Sequence, residues 1–172
     1  MRNFQQVGRS LAVARDCMVA TSHPASTLAG VEILKAGGNA IDAAIAACAV
    51  QCVVEPGSTG IGGDCFALLS REGSDEVIGI NGSGRSPAAA EVGWFMDRGI
   101  REFDRGSPHS VMVPGAVDAW GRLWHAHGRA PWETLFQAAI RHAEGGYVVT
   151  PRVAFDWAKQ ADALARDAHA AR

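Results

Sequence analysis

Residues Ala40 to Val54, AIDAAIAACAVQCVV, constrain the fold more than any other stretch of this chain. Ile41, Ile45, Cys48 and Cys52 share one face at helical spacing, and alanine and valine fill the other faces. A helix apolar nearly all round is a buried helix, and its small side chains let neighbouring layers approach closely. A small two-layer domain has no place for it. The continuous apolar part, Ala43 to Val54, contains Gln51 and is far shorter than the roughly 20 residues of a membrane span. It belongs in a protein core.

The flanking signals agree with a helical pair. Cys17 to Thr21 reads as a strand, and Ser22-His23-Pro24 opens a helix with a cap and a proline near its first position. That helix runs to about Ala36, with Leu28, Val31 and Leu34 or Lys35 at helical spacing, and Gly37-Gly38 ends it, one of the two in the left-handed conformation. Asn39 then caps the alanine-rich helix, and Glu55-Pro56 stops it.

The next residues, EPGSTGIGGDCFALL, place four glycines in seven positions. Glycine-rich backbone can cradle a phosphate, but a dinucleotide site needs strand, G-x-G-x-x-G and helix in that order. Here a helix precedes the glycines and an apolar strand follows, Cys65 stands where a third glycine would be, and no Gly-Lys-Ser/Thr follows. The glycines therefore read as a turn that drops a helix into a central strand with close backbone approach.

Strands at Cys65 to Ser70 and Glu76 to Asn81, joined by a polar turn at Arg71 to Asp75, form an antiparallel hairpin. The loop Gly82-Ser83-Gly84-Arg85-Ser86-Pro87 leaves it carrying a single charge, and loops at strand ends are where chemistry sits. A short helix around Glu91 to Arg98, a linker to Ser107 and a strand at Ser110 to Val113 come next. Pro114-Gly115 turns into a helix with an apolar stripe of Val117, Trp120 and Leu123 or Trp124. Pro131 begins another helix, with Glu133 early and Arg141 and His142 late, as the helix dipole favours. Thr150-Pro151 starts a last one, carrying Val153, Trp157, Ala161, Leu164 and Ala168 to the end of the sequence.

Length and composition narrow the classes. A chain of 172 residues buries roughly 70 % of its unfolded surface. At 48% hydrophobic and 20% charged residues it is globular rather than disordered, and a net charge of −2 gives no basic field for nucleic acid. The four cysteines form no C-x-x-C pair and read as small buried hydrophobes rather than ligands or disulfides. His125 and His127 fall on different helix faces, and His109 and His142 have no partner at ligand spacing, so neither a metal nor a cofactor is expected. The tryptophans read as packing anchors. The N-terminus lacks a continuous apolar signal region, so export and membrane attachment are not expected and a cytoplasmic location is.

Three stretches, MVATSHPASTLAGVEILKAGGNAIDAAIAA, VEPGSTGIGGDCFALL and VPGAVDAW, together resemble the large-subunit portion of the γ-glutamyltransferase family, members of the N-terminal-nucleophile hydrolases. The resemblance spans roughly residues 17 to 150 and is strongest over 18 to 69. It implies an α/β fold, part of a four-layer αββα sandwich, with residues 1–172 as a single N-terminal segment that ends before the nucleophile. In this family a proenzyme cleaves itself, and the new N-terminal threonine of the small subunit attacks an amide. Its α-amino group, with an unperturbed pKa of about 7.7–8.0, serves as its own base. The acyl-enzyme then passes to water or to an amine, and each oxyanion donor contributes about 2.7–4 kcal/mol. The implied partners are a small-molecule amide and the small subunit, in a heterodimer whose further assembly stays open. No catalytic residue is expected within this chain. Thr21-Ser22-His23 imitates the start of a small subunit, but its place ahead of a helix makes it a cap.

The resemblance also assigns the loop after the hairpin. Members that bind glutathione carry an arginine four residues before the loop's proline, gripping the α-carboxylate of the γ-glutamyl group. Counting back from Pro87, that position is Ser83. Losing a charge-assisted hydrogen bond of about 1.5–3 kcal/mol weakens such a substrate about ten- to a hundredfold. Arg85 either reaches the same anion from a rearranged loop or grips a different acyl group; otherwise it is an exposed arginine or a structural ion pair. Relatives with a loop of this Asn-Gly-Ser-Gly-Arg type look like acylases or amidohydrolases, acting on cephalosporin side chains or small amides such as oxamate. Asp64 reads as a buried partner for backbone donors. Two function classes follow: the front of a γ-glutamyl-transferring or related amide-cleaving enzyme, or a catalytically silent fragment or binding module.

Overall fold

The computed structural model describes residues 12–166 apart from 72 and 105. Helix α1 (Pro24–Lys35) and helix α2 (Ala40–Val54) form the centre. The cap of α1 is His23, whose Nδ1 accepts the Ala25 N–H at 3.2 Å, rather than Ser22. Ser22 instead donates to Glu55 Oε2, and Gln51 Nε2 donates to both of them, at 2.8 and 2.9 Å. At the other end Gly37 (φ 93°) takes the left-handed position, with Gly37 N–H on Leu34 C=O and Gly38 N–H on Ile33 C=O. This paired closure satisfies two carbonyls the helix would otherwise leave open.

Helix α2 begins with a complete capping box. Asn39 Oδ1 accepts from Ile41 and Asp42, and Asp42 Oδ2 accepts the Asn39 N–H at 2.9 Å. Asp42 is 0% exposed and also accepts from the backbone N–H groups of Arg129 and Ala130. Asn39 Nδ2 donates to His127 C=O at 2.5 Å, so the short Gly-Gly-Asn turn also ties down the end of a later helix. Ile45, Val50 and Val54 of α2 then form the core with Trp120, Leu123 and Leu135. One stripe of α2 departs from the expected all-round burial: Ala40, Ala44 and Cys48, at i, i+4 spacing, are exposed along an open cleft beside residues 16–22.

Strands β1 (Cys65–Ser70) and β2 (Val77–Gly82) pair antiparallel, with Cys65 opposite Gly82 and Ser70 opposite Val77. Cys65, Ala67, Leu69 and Ile80 face the core. The opposite face exposes Phe66 (69%), Leu68 (80%) and Val77 (62%). The hairpin is therefore apolar on both faces, and only one of them is covered among the described residues. Helix α3 (Val92–Met96) sits beside a cluster of Trp94, Phe95, Phe103 and His109. Helix α4 (Ala116–His127) covers the inner face of the hairpin, so closely that a Cβ on Gly82 would lie 2.3 Å from the Ala119 Cβ. A 3-10 turn at Trp132–Phe136 leads into α5 (Gln137–Gly145), and α6 (Pro151–Ala158) and α7 (Ala161–Leu164) follow.

Several expectations are corrected. Residues 17–21 are not a strand, because no other strand lies beside them among the described residues. Ser110 to Val113 is not one either: Ser107 caps a 3-10 turn at Pro108–Ser110, Pro108 has a preset φ for that turn, and the following residues join no ladder. The helix opened by Pro131 is 3-10 in its first turn. The final helix breaks at Lys159-Gln160, only Val153 of its expected stripe is buried, and Ala168 lies outside the described residues. Trp120 is buried and Trp124 and Trp132 pack on the core, but Trp94 and Trp157 are 40% and 49% exposed. The described residues thus contain one helical layer against one face of a two-stranded sheet, within a mixed α/β arrangement.

Candidate functional site

The antiparallel register decides which loops meet. Because Cys65 lies opposite Gly82, the glycine turn entering β1 and the loop leaving β2 emerge at the same end of the hairpin. The Pro114-Gly115 turn joins them there. Gly115 and Ala116 both donate their N–H groups to Gly63 C=O, at 3.1 and 2.9 Å, and so cap the start of α4 with main chain instead of a side chain. Only Gly63 thus docks the turn through its main chain: a Cβ on Gly60 or Gly62 would meet nothing within 4 Å, so the close backbone approach expected across the glycines is not found there. A Cβ on Gly115 would lie 2.3 Å from Gly82 C=O.

Three consecutive residues fix the loop after β2. Ser83 N–H donates to Asn81 Oδ1 at 2.9 Å, Gly84 N–H donates to Asp64 Oδ1 at 2.9 Å, and Arg85 C=O accepts the Val113 N–H at 3.1 Å. Gly84 is pressed so flat against the 111–115 segment that an added Cβ would lie 1.6 Å from Val113 C=O. The structure brings the two predicted substrate-binding residues, Ser83 and Arg85, onto this fixed loop with both side chains exposed. Among the described residues Arg85 makes no ion pair. Asp64 does accept a backbone donor, but it is exposed rather than buried. Sequence reasoning missed Val113 as the loop's second wall. Its only local signal is the Pro-Gly pair that follows it.

Other candidates take structural roles. Thr21 Oγ1 donates to His23 C=O at 2.8 Å and shares a 2.7 Å hydrogen bond with Thr27 Oγ1, so its hydroxyl belongs to the entry of α1. All four cysteines are free, and the expectation that they are buried fails for Cys17 and Cys48, which are exposed. Desolvation by the surrounding apolar wall raises the thiol pKa values of Cys48, Cys52 and Cys65 above 9.0. Thr59 and the Trp120 indole N–H partly oppose this at Cys52 and Cys65. Raised thiols are poor nucleophiles at neutral pH. Among the described residues no group of three or more His, Cys, Asp or Glu could hold a metal ion, and no helix is long and apolar enough to cross a membrane.

A hairpin with a helical layer on one face, an apolar second face and a pinned polar loop at one end defines a mixed α/β fragment. The chain belongs to the gamma-glutamyltranspeptidase family, which residues 26–172 match. It is 35% identical over 133 residues to the glutathione hydrolase-like YwrD proenzyme of Bacillus subtilis, covering 77% of this chain and 25% of that protein. It superposes on gamma-glutamyltranspeptidase of Helicobacter pylori with a TM-score of 0.84 at 26% identity, covering 94% of this chain and 47% of the other. It also superposes on cephalosporin acylase from Bacillus halodurans with a TM-score of 0.79 at 40% identity, covering 94% and 31%. The chain thus aligns with the N-terminal part of these structures and spans about a quarter of the length of the curated relatives it matches.

Proposed function

We propose that this chain is the N-terminal part of a self-processing amide-cleaving enzyme, that its threonine nucleophile lies outside residues 1–172, and that residues 81–87 hold the substrate's acyl group. The observation that carries this reading is the loop itself. Its backbone is tied at three consecutive residues while the side chains of Ser83 and Arg85 stay exposed. Fixed main chain with exposed polar side chains lowers the ordering cost of binding.

Family membership supports the rest. The B. subtilis relative is named a proenzyme, which supports cleavage into two chains. The apolar outer face of the hairpin, with Phe66, Leu68 and Val77, is suited to a second sheet from the threonine-bearing chain, giving the αββα layering. The N-terminal threonine would attack the amide carbonyl with its α-amino group taking the proton, and water or an amine would release the acyl group. Arg85 would pair with an anion on that acyl group.

A second reading, an acylase or amidohydrolase rather than a γ-glutamyl-transferring enzyme, is favoured by Ser83. Serine stands where the glutathione-binding pattern has arginine, and the chain is 40% identical to a cephalosporin acylase. The test uses the product of the complete reading frame with γ-glutamyl-p-nitroanilide and glutaryl-p-nitroanilide, which share a carboxylate and differ in the α-amino group. Arg85→Ala is expected to raise KM about ten- to a hundredfold on the preferred amide, the equivalent of one charge-assisted hydrogen bond. Preference for the glutaryl amide selects the acylase reading, and an unchanged KM for both amides overturns the assignment of the loop.

A further inference from the structure

Of the three ties on the loop, that made by Asp64 differs in kind. Asn81 belongs to the same strand as the loop, and Val113 contributes main chain. Asp64 reaches across from the glycine turn with an ionised side chain, and it meets the loop at Gly84, midway between Ser83 and Arg85. With no room for a Cβ there, the loop has no side chain at its midpoint, and main-chain contact with residues 112–113 together with hydrogen bonds sets its direction.

Asp64 is itself held on both sides. Gly63 C=O is bound by the first N–H groups of α4, and Cys65 is paired with Gly82. The carboxylate therefore relays the position of α4 and β1 to the loop. We infer that Asp64 is the positioning residue of the acyl-binding loop: through Gly84 N–H it sets where Arg85 presents its guanidinium, without touching substrate itself. This rests on the reading of residues 81–87 given above. A misplacement of about 1 Å costs about a hundredfold in a positioned reaction, so a loop relaxed at Gly84 binds substrate less well.

The test compares Asp64→Ala, Asp64→Asn and Arg85→Ala in the enzyme made from the complete reading frame, with the p-nitroanilide that the wild type turns over. Asp64→Ala is expected to raise KM at least tenfold with kcat within about twofold. Asp64→Asn, which keeps the Oδ1 acceptor, is expected to stay within about threefold of wild type in KM. In the same preparations, deuterium uptake of the peptide spanning residues 82–86 should quicken in Asp64→Ala and not in Asp64→Asn. An unchanged KM in Asp64→Ala, unchanged exchange, or equal impairment of the asparagine and alanine variants overturns the inference. If Arg85→Ala raises KM and Asp64→Ala does not, only Asp64 loses its role; if Arg85→Ala leaves KM unchanged, the loop assignment fails. Should Asp64→Ala not fold, Asp64→Ser, too short to reach Gly84, takes its place. If neither amide is turned over, the exchange measurement decides.

Discussion

Replacing Gly84 with alanine tests the packing at the heart of this site. The new Cβ would lie 1.6 Å from Val113 C=O, where real contacts essentially never fall below 3.0 Å, so the two segments must part by at least 1.4 Å. That separation breaks Gly84 N–H to Asp64 (2.9 Å) and Val113 N–H to Arg85 C=O (3.1 Å). A neutral bond contributes about 0.5–1.5 kcal/mol, and the exposed Asp64 bond belongs near the low end of the charged range. The summed loss is about 2 kcal/mol. With a urea m-value of about 1–3 kcal/mol/M, the unfolding midpoint should fall by about 1 M. Gly60→Ala is the matched control: a Cβ there meets nothing within 4 Å, so its midpoint should stay put or rise slightly. Equal midpoints for Gly84→Ala and Gly60→Ala would refute the reasoning.

Asp42→Ala should cost about 3 kcal/mol, because it leaves the partly buried N–H groups of Asn39, Arg129 and Ala130 without an acceptor; thermal unfolding measures it. Alkylation by iodoacetamide at pH 8 should modify exposed Cys17 well before half-buried Cys52 and Cys65, whose raised pKa values keep them protonated, and peptide mapping reads the order. The same shifts set a pH dependence. Their stabilising contribution is intact below the unfolded value of 9.0 and is lost as pH rises toward the folded values, so stability should decline above pH 9.0. The double substitution Phe66→Thr, Leu68→Thr should raise the monomer fraction of the 172-residue chain in size-exclusion chromatography, since it removes apolar area from the uncovered hairpin face.

What was legible in the sequence was what is settled locally. The capping contacts of Asn39 and Gly37 reach no more than three residues along the chain, so the limits of α1 and α2 could be read from them. The hairpin followed from an apolar run, a polar turn and a second strand-like run. Residues 17–21 and 110–113 have strand-like composition, but a strand exists only beside a partner, and the described residues offer none. The exposure of Cys48 was hidden for a related reason: periodicity shows which face of α2 is apolar, not which face is covered. At the site, Arg85 and Ser83 stood out by chemistry and resemblance. The contact of Asp64 with Gly84, and that of Asp42 with Arg129 and Ala130, join residues 20 and 87 or 88 positions apart, and no local pattern records such pairs.

The central claim is that this chain is the front of an enzyme that makes its own nucleophile. Expressing the complete reading frame and determining the mass and N-terminal residue of each resulting chain tests it most directly. The account predicts two chains, the second beginning with threonine, and a single uncleaved chain when that threonine is replaced by alanine. A reading frame that stops at Arg172, or a longer product that stays intact and turns over amides, would contradict it.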